Sequence, residues 1–131
     1  DSARNVLETV RAMGITVAVD DFGTGFSSMA YLRQLAVDVI KVDRTFVSGA
    51  DLDGFDSTAI DAMVNFGRVL GIDVVAEGVE TEAQLEYVRS RGCTRAQGYL
   101  LGMPLPADET ERALGLGPLV PRSGGQPAGV A

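Results

Sequence analysis

Apolar positions along the chain follow two alternating rhythms. Over 2–13 they recur at helical spacing: Val6, Leu7, Val10 and Met13 share one face, Ser2 offers a cap at the start, and Gly14 supplies the stop. Residues 15–19 are a short, largely β-branched run that breaks off at Asp20 and Asp21, which predicts a strand. The alternation then repeats. A helix is predicted over 26–35 and a strand over 37–42, then a longer helix over 57–70, with Asp56 as its cap and Gly71 as its end, leading into a strand over 72–76. A helix over 81–91 closed by Gly92, a short strand over 94–98 and a short helix over 104–114 complete the pattern. Strands alternating with helices of this length specify βαβ units and a parallel sheet, and the nearly all-apolar strands fit a sheet covered on both faces. Four βα units result. From 115 to 131 the chain turns to Gly, Pro, Ser and Ala, which bury too little apolar surface to stay ordered, and this stretch reads as a disordered tail.

Polar residues are not scattered over this pattern. Asp20 and Asp21 end the first predicted strand, Lys41 and Asp43 the second, Glu77 the third and Gln97 the fourth. The carboxyl ends of the strands are where parallel α/β folds carry their sites. A single Asp after a strand is often only the cap of the next helix, and Asp43 reads that way, capping or bracing its loop. Two adjacent carboxylates on a shielded rim repel one another unless a cation lies between them, which favours metal binding at Asp20 and Asp21. Lys41 is the one lysine of the chain and sits inside the apolar run Val39-Ile40-Lys41-Val42. It serves either as half of an internal ion pair with a neighbouring Asp or as a compact ammonium holding a water or phosphate oxygen. The Gly- and Ser-containing stretch 22–28 suits a phosphate cradle or a plain turn. The run 51–54 reads as a solvated turn, and Cys93 as a small core or rim residue.

Composition removes alternatives. The chain has no histidine, which excludes a Ser-His-Asp triad and any imidazole-ligated metal; its single cysteine excludes an internal disulfide and a thiolate zinc cluster and fits a reducing compartment. Oxygen ligands alone point to Mg²⁺ or Mn²⁺. A formal net charge of −7 argues against nucleic-acid partners and against an anionic membrane face. No stretch approaches the roughly 20 apolar residues of a membrane span. The chain starts at Asp1 rather than Met, and the expectation is that it continues upstream.

Four segments together, DDFGTGFSS at 20–28, KVDRTFV at 41–47, AEGVET at 76–81 and QGYLLGMPLP at 97–106, resemble the EAL family of bacterial phosphodiesterases that hydrolyse cyclic di-GMP to linear pGpG. The resemblance runs to about residue 114 and implies a (β/α)₈ TIM-type barrel, of which this chain would be the second half, strands five to eight. The Glu of the family's Glu-Ala-Leu motif, an Asn and a further Glu would lie upstream. By resemblance, Asp20 is the carboxylate shared by two Mg²⁺ or Mn²⁺ ions and Asp21 the ligand of the second. Lys41 positions the attacking water, and Glu77 acts near the second metal, through water or as a base. Gln97 supports substrate and water, and Glu80 lies near the substrate. The loop 22–28 is the family's element coupling dimerisation to metal binding, so a homodimer is implied, with sensor or diguanylate cyclase domains upstream and a cytoplasmic location. Phe26 stands where Tyr is usual, Leu101 where Phe is usual, and Thr94 where Asp is frequent; no charged site group is lost. The competing reading is a cyclic di-GMP receptor whose upstream ligands no longer support cleavage.

Overall fold

The computed structural model describes residues 2–23, 29–49 and 54–115. Along the chain these form α1 (Ser2–Ala12), β1 (Ala18–Phe22), α2 (Met29–Gln34), β2 (Val39–Val42), α3 (Arg44–Ser48), α4 (Gly54–Leu70), β3 (Asp73–Ala76), α5 (Glu82–Arg91), β4 (Arg95–Ala96) and α6 (Ala107–Leu114). The strands make one parallel sheet in the order β1-β2-β3-β4, so sequential strands are spatial neighbours and every strand points its carboxyl end at the same rim. The four expected βα units are therefore present. Most of the loop 22–28, the turn expected over 51–54 except for Gly54, and the tail from 116 onward lie outside the described residues.

The period of two in the strands assigns the faces. Ile40 and Val42 of β2 are fully buried and join Phe22, Val74, and Ile60 and Met63 of α4 in the main core cluster, whereas Lys41 between them is half-buried on the opposite face. Full burial of a side chain such as Ile40 or Ile60 contributes about 1.5–3 kcal/mol. Val47, Ala76, Val79 and Val88 form a second cluster beneath the end of β3. Phe22 stacks on Phe66 with ring centres 6.4 Å apart.

Polar contacts fix the ends of the elements. Thr81 and Gln84 form a reciprocal capping box at the start of α5, and the left-handed Gly92 (φ 95°) ends it. Asp38 ties the first unit to the second: its carboxylate accepts from the Val17 N–H and pairs with Arg11 at 2.7 Å. The Thr94 hydroxyl both accepts from Val74 N–H and donates to Val74 O, which clamps the short β4 to β3.

Several expected boundaries move. The first strand begins at Ala18, not at 15, and Ile15 is 51% exposed, so both aspartates lie within β1 rather than after it. Helix α4 begins at Gly54, which puts Asp56 inside it and not at its cap, and Ser2 likewise lies within α1. The fourth strand contracts to two residues, because only Arg95 and Ala96 pair with β3. The five-residue α3 was not expected; Asp43 does cap it, accepting from the Thr45 N–H at 2.9 Å and the Thr45 hydroxyl at 2.6 Å.

Candidate metal centre

In a regular strand, consecutive side chains point to opposite faces. Asp20 and Asp21 escape this rule because β1 is irregular between Val19 and Phe22, and Asp21 adopts a left-handed conformation with φ 49°. Asp is among the few side chains that tolerate this region, and a bulge re-aims the residues it contains. As a result carboxylate oxygens of Asp20, Asp21 and Glu77 lie within 4.8 Å of one another. The Asp21 N–H also donates to Asp20 Oδ1 at 2.8 Å, which holds the Asp20 carboxylate in place.

Lys41 lies beneath this cluster. Its Nζ is 2.8 Å from Glu77 Oε1 and 3.8 Å from Asp20 Oδ1. The ion-pair alternative for Lys41 is thus realised, with Glu77 as the nearer partner than an Asp. The contact follows from register: Lys41 pairs with Val75 across the β2–β3 ladder, and Glu77 is two residues on, on the same face. The ladder continues past the strand ends, with Glu77 N–H donating to Val42 O at 3.0 Å and Gln97 N–H to Ala76 O at 2.8 Å. Backbone hydrogen bonding therefore anchors both rim residues.

The electrostatics record the crowding. The Asp20 charge, with smaller contributions from desolvation and from contact with Asp43, raises the Asp21 carboxyl above its ordinary value, although its side chain is exposed. The hydrogen bond from Lys41 to Glu77 keeps the ammonium protonated to higher pH than an ordinary lysine. Burial raises the Glu77 carboxyl in spite of Lys41. The Thr45 hydroxyl and N–H hold Asp43 below its usual value. Three carboxylates sharing one ammonium leave an excess of negative charge, which a divalent cation relieves. An all-oxygen donor set is the chemistry hard ions such as Mg²⁺ and Mn²⁺ require, so the residues present fit that group.

Of the residues singled out from the sequence, Asp20, Asp21, Lys41 and Glu77 converge. Gln97 and Glu80 stand exposed near the same rim outside the three-carboxylate group; Gln97 O accepts from Val79 N–H at 3.1 Å, and Glu80 N–H donates to Gln84 Oε1 at 2.8 Å. The proximity of Asp43 to Asp21 was not foreseen, although its place two residues after Lys41 was its signal. Among the described residues no helix is long and apolar enough to cross a membrane.

A four-stranded parallel α/β sheet with an acidic cluster on its carboxyl rim defines part of a TIM-type barrel carrying a candidate divalent-ion site. The chain belongs to the EAL domain family, whose model matches residues 1–104. It is 45% identical over 109 residues to the bifunctional diguanylate cyclase/cyclic di-GMP phosphodiesterase MucR of Pseudomonas aeruginosa, covering 83% of this chain and 16% of that protein. It is 42% identical over 114 residues to the cyclic di-GMP phosphodiesterase NbdA of the same organism, covering 87% of this chain and 15% of NbdA. Among solved structures, the MucR phosphodiesterase in complex with c-di-GMP superimposes with a TM-score of 0.78 at 44% identity, over 84% of this chain and 44% of that one. Klebsiella pneumoniae BlrP1, as a manganese/cy-diGMP complex, matches with a TM-score of 0.70 at 38% identity, over 76% of this chain and 26% of that one. The chain thus spans less than a fifth of these curated relatives.

Proposed function

We propose that this chain is the C-terminal half of a phosphodiesterase domain that hydrolyses cyclic di-GMP to linear pGpG with two Mg²⁺ or Mn²⁺ ions. The observation that carries this reading is the convergence of Asp20, Asp21 and Glu77 around Lys41 on one rim of an EAL-family sheet. Asp20 would hold both ions and Asp21 the second. When bound, divalent ions neutralise phosphate charge and make water a nucleophile at neutral pH. Cyclic di-GMP is a dianion, and a chain at −7 repels it until cations occupy the carboxylates.

The chain's own side chains then do the positioning. Lys41 Nζ, oriented by Glu77, holds the attacking water by one of its remaining donors. Glu77, its carboxyl raised by burial, is the group suited to accept that water's proton. Gln97 and Glu80 at the rim face the substrate. The remaining ligands belong to the first half of the barrel, so residues 1–114 act as half of a domain and 115–131 as a tail. MucR, with both cyclase and phosphodiesterase activities in its name, supports a multidomain parent with a cyclase domain. Sensor domains upstream, a cytoplasmic location and a homodimer made through the 22–28 region belong to the same proposal and rest on the family resemblance alone.

The test is hydrolysis of cyclic di-GMP by the protein that carries this chain. Turnover with Mg²⁺ or Mn²⁺, its loss in excess chelator and its inhibition by Ca²⁺, whose looser coordination suits a tight site poorly, are the expected results. Equal turnover in chelator would sink the metal mechanism. Tight binding without turnover under any ion would replace the enzyme by a receptor.

A further inference from the structure

Just past the carboxyl ends of β3 and β4, two backbones meet without a side chain between them. A Cβ added at Gly98 would stand 2.1 Å from Val79 O, 2.3 Å from Val79 N and 2.6 Å from Val79 C. The φ of Gly98 is not in the left-handed region, so alanine's obstacle there is contact alone. The approach is locked by hydrogen bonds: Val79 N–H donates to Gln97 O and Leu100 N–H to Val79 O, both at 3.1 Å. Val79 itself is fully buried. On the other side of the same segment, a Cβ at Gly78 (φ 74°) would meet Arg44 Cβ at 2.3 Å and Arg44 Cα at 3.2 Å. The segment 77–80, which carries Glu77 and Glu80, is therefore held between the start of α3 and the residue following Gln97.

We infer that Gly98 is a positioning residue: the bare backbone contact of Gly98 with Val79, opposed by Gly78 on Arg44, sets the height of Glu77 against Lys41 and its spacing from Gln97. The inference rests on the reading of Glu77 and Gln97 as site residues. The physics is that of a clamp between backbones, which rotamer changes cannot relieve. A side chain at 98 drives Val79 away, and Glu77 two residues earlier moves with it. A displacement of about 1 Å in a reacting group can lower turnover about 10²-fold.

Lys41 gives a direct readout in the protein that carries the chain: it is the one lysine of this chain, and with ε-carbon-13-labelled lysine its Cε signal is the one lost in Lys41→Arg. Gly98→Ala should shift the Lys41 Cε signal and, in the protein that carries the chain, lower kcat about 10²-fold with a smaller change in KM. Gly92→Ala is the control for lost stability alone: it replaces the left-handed cap of α5, and its Cβ would meet only a Val64 methyl at 3.3 Å. It should lower the melting temperature and leave the lysine signal in place. A folded Gly98→Ala with an unmoved lysine signal overturns the inference. If Gly98→Ala does not fold, the opposite jaw decides. Arg44→Gly removes the Cβ on which Gly78 rests, while Arg44→Ala removes the charge and keeps that Cβ. A lysine signal that moves further in Arg44→Gly than in Arg44→Ala supports the clamp, and equal signals overturn it. Should the wild-type protein turn over no cyclic di-GMP, the proposed activity fails while the lysine signal still decides the clamp.

Discussion

Among the described residues Glu77 and Lys41 form the one short ion pair of the rim, at 2.8 Å, and Asp20 stands 3.8 Å from the same ammonium. An ammonium so enclosed has its apolar stem within the sheet and its donors aimed at the cluster, so removing it leaves carboxylates facing one another. Lys41→Ala in the protein that carries the chain should reduce kcat by about 10²–10³, the range seen when one group that stabilises the transition state is lost. KM should change far less, because a water-positioning group acts in the transition state. Steady-state kinetics separate the two, and a variant weakened only in KM reassigns Lys41 to holding ground-state phosphate. Cys93 gives a second prediction. Burial raises its thiol to about 11, so almost no thiolate exists near neutrality, and thiol reagents should modify it slowly in the folded chain and quickly in denaturant. Equal rates in both states would contradict its burial.

Helix α5 depends on its first hydrogen bonds. Thr81 Oγ1 accepts from the Gln84 N–H at 3.2 Å, and Gln84 Oε1 accepts from both Thr81 N–H and Glu80 N–H. Thr81→Ala should destabilise the chain by about 1 kcal/mol, measured as a lower urea midpoint. The Asp38 contact carries a pH dependence. Its carboxylate is held below the ordinary value of 3.8 by the Val17 N–H first and by Arg11 second. A depressed folded-state value means stabilisation present above the unfolded value and lost as the pH falls through the folded one. The gap in urea midpoint between wild type and Asp38→Asn should be full at neutral pH and close below about pH 4. A constant gap down to pH 2 would exclude the ionised carboxylate as its source. Of the elements, α1, α5 and the three longer strands were readable from spacing and from caps. The helix α3 was not, since five residues hold too little periodicity to register, although its cap Asp43 was visible.

The sheet ends at β1 on one side and β4 on the other, and among the described residues neither edge pairs with a further strand. Large apolar side chains stand exposed on the flanking segments: Met13 at 72% and Ile15 before β1, Tyr99, Leu101 and Met103 after β4. In a whole barrel these edges close on the other four strands, and MucR's solved phosphodiesterase, of which this chain matches 44%, leaves room for them. The chain by itself should therefore self-associate, seen as a concentration-dependent sedimentation coefficient, and cleave cyclic di-GMP only at background. Compact monomers at high concentration with full activity would overturn the half-barrel reading.

The order of elements apart from α3, the parallel sheet and the identity of the rim residues were legible in the sequence alone. Each follows from local information: apolar spacing, β-branched runs, stop glycines, and polar residues at strand ends. What the tertiary structure decided is which of those residues meet. Two adjacent aspartates in a strand should point apart, and only the irregular pairing of β1 with the left-handed Asp21 turns both toward Glu77. Lys41 was open to an aspartate partner, and the β2–β3 register assigned it chiefly to Glu77. The clamp at Gly98 has no sequence signal beyond a glycine, because the backbone it touches lies nineteen residues earlier in the chain at Val79. Spacing along a chain specifies a face and a rim; distances between rim residues depend on register, bulges and backbone contacts, which exist only once the strands have paired.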